Sequence, residues 1–426
     1  MSILRSFNIG VSGLSASGAG MNVVSDNISN AGTNGFKASR AEFQDVLAVS
    51  LKGIEGGDQF GAGTKLAHIK PMMTQGDVAR TESITDLAIQ GDGFFKVKAP
   101  FGNGFTRDGS MHFNKDGELV NSDGYKVLGF KSNEDGVLTN KEGEIKLGNT
   151  TIPAQATEKV KLSMNLDSRA SVKEFDPNNP EETSNFSSSI TVYDNVGTAR
   201  LVTAYYNKTA DNNWTYRIMA DGADAQGGQA GTMVQMAEGQ LVFNDKGQLQ
   251  EEIETSNSFN FNKGARQDQK ISFSWGESIA EGGDGTDAST QYGSGSAVAR
   301  HTQDGASAAT LGSLSFNDDG ILTAVYDNGE TRDIAQIAIA KFDNNEGLFK
   351  MGKNLFKESK NSGQPAMGKP GEAGRGQVLS KSIELSNVDI ASEFVNLMTS
   401  QRNFQANAKT ISTADKMMQE IFRIKG

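Results

Sequence analysis

Residues 387–424 most constrain what this chain can become. Ile390, Leu397, Phe404, Ile411 and Met418 recur at a seven-residue interval, and Phe394, Gln401, Ala408, Asp415 and Phe422 form a second row between them. The alternating four-three spacing is that of a coiled-coil seam. Neither Pro nor Gly interrupts residues 390–424, so the spacing predicts one helix over the whole run. Its seam is apolar but narrow, broken by Gln401 and Asp415, and a helix of this kind needs a partner.

The first thirty residues offer one. Phe7, Leu14, Met21 and Ile28 are also seven apart, Leu4 and Val11 start a second row, and Gly18 and Ser25 complete it. Two ordinary amphipathic surface helices would give such rows one at a time. Their confinement to the two ends predicts that they pair, with each other or with other copies.

A chain of 426 residues exceeds one core and implies about two to four domains. Hydrophobic content is 36%, with 49 Gly and 7 Pro, which fits short strands joined by tight turns. A net charge of −11 sets aside nucleic acid and anionic membranes as partners, and no apolar run has the length of a membrane span. Cysteine is absent, which removes disulfides, thiol catalysis and cysteine-based zinc sites. Ser, Gly and Asn interrupt the N-terminal apolar residues, so the start does not read as a cleaved signal peptide. The expectation is a chain that stays in the cytoplasm or leaves by a route that reads no such signal.

Between the termini the pattern is β. Residues 38–70, with a Gly-rich stretch at 53–63, read as an extended connector. Leu87, Ala88 and Ile89, then Gly91, Asp92 and Gly93, then residues 94–97 read as strand, turn, strand. FNKDGEL at 113–119 recurs as FNDKGQL at 243–249 and FNDDGIL at 316–322, with a partial copy at 135–138. Each reads as a strand, an Asx-rich turn with a left-handed Gly, and a return strand. Residues 169–185 read as a long polar loop. Strands are expected at 189–193, 201–206 and 214–219, and again at 311–325 and 334–342. Residues 363–376 read as a second flexible connector. The plan is nested: helix, connector, β, inserted β, β, connector, helix.

No catalytic constellation emerges. His68, His112 and His301 are far apart and lack neighbouring ligands. Gly91 to Gly93 and Gly102, Asn103, Gly104 lack a following helix and read as turns, not phosphate loops. Asn133, Asp135, Gly136 and Glu142 match part of a calcium loop, but Lys131 holds the first ligand position, and a hairpin is the better account. No carboxylate stands in an apolar strand context that would raise its pKa. Trp214, Tyr205 and Tyr206 could line a sugar platform, but packed β aromatics account for them better. No cofactor and no enzymatic activity are expected.

Several segments resemble the axial proteins of the bacterial flagellum, and among these the hook subunits. At the N-terminus these are Ser12, Gly13 and Leu14, then Asn27, Ile28, Ser29 and Asn30, then Thr33, Asn34, Gly35, Phe36 and Lys37. At the C-terminus they are Asn387, Val388 and Asp389, and QRNFQANAK from Gln401 and Arg402 onward. Gly91, Gly93, Phe94 and residues 105–109 resemble the shared inner β domain, and residues 192–214 a strand pair of the outer domain, which shorter rod subunits lack.

The resemblance implies a mainly β chain with α-helical termini, nested and multi-domain, with N- and C-terminal coiled-coil helices and two or more β domains. The expected division is 1–30 with 387–426 as helical core, 31–70 with 359–386 as connector, 71–168 with 293–358 as inner β domain, and 169–292 as outer β domain. It implies an extracellular structural subunit of the flagellar hook, a homo-oligomeric, curved, flexible tube that joins rod to filament and transmits torque. Implied partners are the rod, the hook–filament junction proteins, the hook cap during assembly and the type III export apparatus. Nucleic acid and membrane insertion are not implied. A distal rod subunit is the nearest alternative and a secreted carbohydrate-binding or adhesive β protein a remote one. The rows Leu4, Phe7, Val11, Leu14, Met21, Ile28, Ile390, Phe394, Leu397, Phe404, Ile411, Met418 and Phe422 are the expected assembly seam.

Overall fold

A computed structural model describes residues 2–47, 61–133, 136–148, 150–283 and 288–425. The chain divides into two compact units. The first contains Met1–Gly148, Ser313–Val325 and Thr331–Gly426; the second contains Asn149–Gly312 and Tyr326–Glu330. Helices stand at both ends, Ser2–Ser29 and Ile390–Lys425, and nearly everything between is β. None of the described helices is long and apolar enough to cross a membrane.

In the first unit, the strand Phe94–Ala99 is buried on both faces, because successive side chains point to opposite sides. Phe95 and Val97 enter a core with Leu87, Ile89, Leu119, Val127, Leu322 and Ile337. Phe94 enters another with Phe105, Phe342 and Phe356, where Phe105 meets Phe342 edge-on at 4.8 Å. The sheet around it runs through Ile321–Tyr326, Thr331–Ile337, Lys126–Ser132, Phe94–Ala99, Gly102–Thr106, Leu355–Lys357 and Phe349–Gly352.

Several sequence expectations change here. The strands flanking Gly91 to Gly93 do not pair with each other: Leu87–Gln90 pairs with Gln377–Ser380, and Phe94–Ala99 pairs with Gly102–Thr106. Gly102, Asn103 and Gly104 are therefore strand, with the turn just before them. Residues 38–70 are not simply extended: Ser39–Leu47 and Gly61–Pro71 form an antiparallel hairpin. Both its faces are partly open, which is why burial left no strong alternation to read. It leans on the N-terminal helix, where the Thr64 N–H donates to Ser12 Oγ at 3.2 Å. Most of the Gly-rich stretch at 53–63 lies outside the described residues. Residues 363–376 are also folded. Ala366–Gly368 pairs with Ile339–Lys341, and the Arg375 guanidinium donates to the carbonyls of Ala366, Met367 and Glu372 at 3.0–3.3 Å.

The repeated Asn-Gly motif has one structure at each full copy. Asn114 Oδ1 accepts from the N–H groups of Asp116 and Glu118. Asn244 repeats this with Lys246 and Gln248, and Asn317 with Asp319 and Ile321. In the partial copy, Asn133 Oδ1 accepts from Val137 N–H at 2.8 Å, so the oxygen a cation would need serves the turn; Asp135 lies outside the described residues. Glu142 instead faces Lys96 at 2.5 Å.

The second unit is a sandwich. A five-stranded antiparallel meander, Phe186–Tyr193, Ala199–Ala210, Asn213–Asp221, Met233–Phe243 and Leu249–Asn257, faces a three-stranded sheet of Ser272–Ser274, Lys159–Asn165 and Ala297–Gln303. Val160, Leu162 and Met164 pack against Val202, Tyr206, Trp214, Tyr216 and Trp275. Trp214 and Tyr206 are thus core groups, and Tyr205 is buried on the other face. Trp214 Nε1 donates to Gln291 Oε1 at 2.7 Å, as a buried indole must find an acceptor. Buried Arg200 is matched by Asp194 at 3.1 Å and Asp224 at 2.5 Å.

At Gly247, φ is +77°, and a methyl group there would stand 2.4 Å from the carbonyl oxygen of Gln291. A left-handed backbone costs a side-chain-bearing residue about 1–2 kcal/mol, and the clash adds to it. Gly247→Ala is therefore expected to destabilise the second unit by at least that amount. Both tryptophans, Trp214 and Trp275, lie in this unit, so denaturant unfolding followed by fluorescence reads it directly.

Candidate functional site

The N-terminal helix cannot stand on propensity. Gly10, Gly13, Gly18 and Gly20 lie within its 28 residues, each costing about 1 kcal/mol relative to Ala. At Gly10 and Gly13 their use is close approach, whereas a methyl at Gly18 would meet nothing within 4 Å. A methyl at Gly10 would lie 2.8 Å from Ile411 Cγ1, one at Gly13 2.6 Å from the Asn407 amide, and one at Gly20 3.7 Å from Ser400 Oγ. The sequence numbers fall on one helix as they rise on the other, so the helices run antiparallel, with glycines against the C-terminal helix. Ala16, Val23 and Asn27 are buried on the N-terminal helix and Ala414 on its partner.

The heptad rows are only partly covered by this contact. Leu4 is 60% exposed, Val11 44%, Ile390 and Phe394 49% each and Phe404 39%. Phe7, Leu14, Met21, Ile28, Leu397, Ile411 and Met418 are half-buried. Of these, Ile411 is brought against the N-terminal helix at Gly10. The side chain of Phe422 lies outside the described residues. Ile9, Val395, Met398 and Met417, which heptad counting passed over, are exposed as well.

The helices are held to the β part of the first unit by a buried polar joint. Glu384, fully buried, accepts from Lys37 Nζ at 2.5 Å and from the Gly76 N–H at 2.9 Å on one oxygen, and from Arg107 Nη1 at 3.1 Å on the other. Arg107 also donates to the Gly91 carbonyl at 2.7 Å and lies over the Phe94 ring. Burial pushes the Lys37 ammonium below the usual lysine range, and Glu384 opposes that shift. Gly35 has φ +65°, and a side chain there would strike the backbone of Arg107 and Asp108. Its N–H donates to the Glu384 carbonyl at 2.7 Å. Burial raises the Asp108 carboxyl, a shift the strand pattern did not foretell.

Two asparagines stitch the chain crossings. Asn27 exchanges two 2.8 Å bonds with the backbone of Ser39, as a neighbouring strand would. Asn387 accepts from the Ala38 N–H at 2.8 Å and donates to the carbonyls of Met72 and Thr74. Phe36 is buried beneath the Lys350 ammonium at 4.9 Å, which also donates to the Lys37 carbonyl. Asp389 caps the C-terminal helix: its carboxylate accepts from the N–H groups of Ala391 and Ser392 and from the Ser392 hydroxyl. These bonds hold its pKa below the ordinary aspartate value. Asn30 closes the N-terminal helix, its amide donating to Asp26. Gln401 and Arg402 are exposed on the C-terminal helix, and Val388 lies beside the joint, half-buried. Sequence reading named Asn27, Gly35, Lys37, Asn387 and Asp389 as family positions and placed Arg107 in the resembling segment 105–109 without a role, but missed Glu384. Arg107 is 277 residues from Glu384, and the short strand Ser382–Glu384 gives little pattern from which to infer a buried acid.

His68 faces Glu42 at 3.2 Å on the connector hairpin, His112 lies on Met111–Phe113 and His301 on Ala297–Gln303. Among the described residues, no group of three or more His, Cys, Asp or Glu side chains is arranged to hold a metal.

The chain is similar to known proteins. The family model described as flagella basal body rod protein matches residues 7–37, and that for the FlgEFG C-terminal region matches 379–424. The flagellar hook protein FlgE/F/G D1 domain matches 88–165 and the FlaE D2 domain 165–306. The flagellar hook protein FlgE of Borreliella burgdorferi is 31% identical, the alignment covering 99% of this chain and all of the relative. The chain belongs to the flagellar hook protein FlgE family. The hook protein FlgE of Escherichia coli is 30% identical over 98% of this chain and all of that one. The structure of Helicobacter pylori hook protein FlgE2 shares the fold, with a TM-score of 0.53 at 14% identity, covering 71% of this chain and 99% of the other. The chain is a structural subunit of the hook, a component of the extracellular flagellum. The two terminal matches contain Asn27, Lys37, Glu384 and Asn387, and the D1 match contains Arg107.

Removing one partner of a buried ion pair costs about 3–5 kcal/mol. Glu384→Ala, which leaves two buried cations facing each other, is expected to destabilise the first unit by that amount. Lys37→Met is expected to cost less, because Arg107 still neutralises Glu384. Hydrogen exchange along Leu87–Gln90 and Val78–Arg80 measures both. Because the Asp389 pKa is depressed in the folded chain, its cap is fully present above the unfolded value of about 3.9 and lost as pH falls through the folded one. Helicity of the C-terminal helix is expected to fall in that window, and Asp389→Asn to remove that pH dependence; circular dichroism from pH 6 to pH 2 checks it.

Proposed function

We propose that this hook subunit assembles, copy upon copy, into a curved and flexible tube that carries torque from rod to filament. The observation that carries the reading is the helix pair. Its two helices meet through glycines, while Leu4, Val11, Ile390, Phe394, Val395, Met398 and Phe404 face outward on the single chain. Burying such side chains contributes about 1.5–3 kcal/mol each, and neighbouring copies supply the cover. In this reading the seam residues named from the heptads are assembly residues. The helical core, connector, inner β and outer β parts expected from the sequence are the subunit's division in this reading, with Lys159–Asn165 and Ala297–Gln303 joining the outer part rather than the inner one. The chain works without catalysis or cofactor, in a family that is structural. Its partners are other copies, the rod, the junction proteins, the assembling cap and the type III export machinery.

The joint changes where flexibility belongs. Residues 31–47 and 377–389 are tied to each other and to the β part by Asn27, Lys37, Asn387 and Glu384, so the connector acts as a strut. Bending then arises in the contacts between copies.

Deleting residues 390–426 removes the exposed rows but leaves the joint and both β parts. It is expected to abolish tube formation in sedimentation and electron microscopy, with the tryptophan unfolding transition unchanged. Phe394→Ala and Phe404→Ala are expected to raise the concentration needed for tubes. Tubes formed by the truncated chain would overturn the reading.

A further inference from the structure

The second unit carries charges of opposite sign on its two outer faces. On the three-stranded sheet, Val160 and Leu162 point into the core, so Lys159 and Lys161 point away from it. Arg300 lies opposite Ser163 on the neighbouring strand, on the same outer face. The three cations line a cleft of about 840 Å³. They are exposed, and none of them is in an ion pair among the described residues. Among the described residues, the acids at the cleft are Glu277 and Asp304. One Asp304 oxygen is occupied by the N–H groups of Glu158 and Lys159, each at 2.9 Å.

The far face of the five-stranded sheet is acidic. Tyr205 and Arg217 are cross-strand neighbours pointing away from the core that holds Ala204, Tyr206, Tyr216 and Ile218. Residues 171–185 lie over them, with Phe175 6.2 Å from the Tyr205 ring and beneath the Arg217 guanidinium at 4.7 Å. This strap presents Glu174, Glu181 and Glu182, all exposed. Of the nearby cations, Lys173 donates to the carbonyls of Glu182 and Ser184, and Arg217 is paired with Glu238 at 2.8 Å.

We infer that the cationic cleft of Lys159, Lys161 and Arg300 receives the carboxylates of the Glu174–Glu182 strap from the second unit of another copy. Complementary patches on opposite faces of one body make a head-to-tail contact, which runs on as an open helical polymer where the rotation between copies does not close. The inference rests on the assembly reading above and adds its outer contact. Exposed charge pairs are individually weak and screened by salt, so this contact slackens and re-forms while the apolar helix seam persists.

The native chain has no cysteine, which makes cross-linking specific. Full-length Lys161→Cys and Glu182→Cys chains, mixed and polymerised at low salt, are expected to form a disulfide between copies. Two Lys161→Cys copies are expected not to. The yield is expected to drop several-fold in 1 M salt, where the screening length is about 3 Å, with the tubes still present. Arg300→Glu in the Lys161→Cys chain is expected to abolish the cross-link, and Glu181→Lys in the Glu182→Cys chain to restore it. Tubes without the mixed disulfide, or with one indifferent to salt and to Arg300→Glu, overturn this contact and leave the assembly reading standing. A chain that forms no tubes overturns both.

Discussion

A carboxylate with no water around it exists only where cations and N–H groups replace that water. Glu384 is such a group, and the first unit is arranged to supply what it needs. Lys37 comes from the turn after the N-terminal helix, Arg107 from the end of the strand Gly102–Thr106, and the Gly76 N–H from the approach to the first short strand. The strand carrying Glu384 leads directly to the C-terminal helix. One side chain therefore fixes four chain segments, and the glycine at position 35 is needed because the backbone of Arg107 and Asp108 passes too close for a side chain.

The helix pair depends on this arrangement. A helix with four glycines has little tendency to form alone, and one capped by Asp389 but half-exposed along its length gains little more. Their positions come from the stitches by Asn27 and Asn387 and from glycines close against Asn407 and Ile411. What remains uncovered is the apolar surface that the sequence displays most plainly. The periodicity that reads as a coiled-coil seam is thus only partly used by the intramolecular contact, through Ile411, and leaves Leu4, Val11, Ile390, Phe394 and Phe404 exposed.

Much of the fold was legible for local reasons. Heptads gave both helices, and alternation gave the strands around residues 190, 203 and 216. The FNxxGxL motif gave three turns because its Asn and Gly act within five residues of one another. The hairpin at Ser39–Leu47 and Gly61–Pro71 was not legible, because neither face is fully buried and its pattern is weak. Partnering across hundreds of residues was also hidden: Leu87–Gln90 pairs with Gln377–Ser380, and Glu384 finds Arg107. Of the joint, sequence signatures named Asn27, Lys37 and Asn387 but not the acid that Lys37 meets. The glycine face was visible as letters, yet nothing local said that closeness to Asn407 was its purpose.

The chain passes once from the N-terminal helix into the β part and once from the β part into the C-terminal helix, and at the joint these two passages are bonded side by side. A pull on the helices is therefore shared between two backbones clamped at a common point. For a linker of one strand, strain would concentrate in a few dihedral angles. Here a twist applied to the helices must shear a set of short hydrogen bonds together, and a bonded set of that kind resists until it yields as a whole.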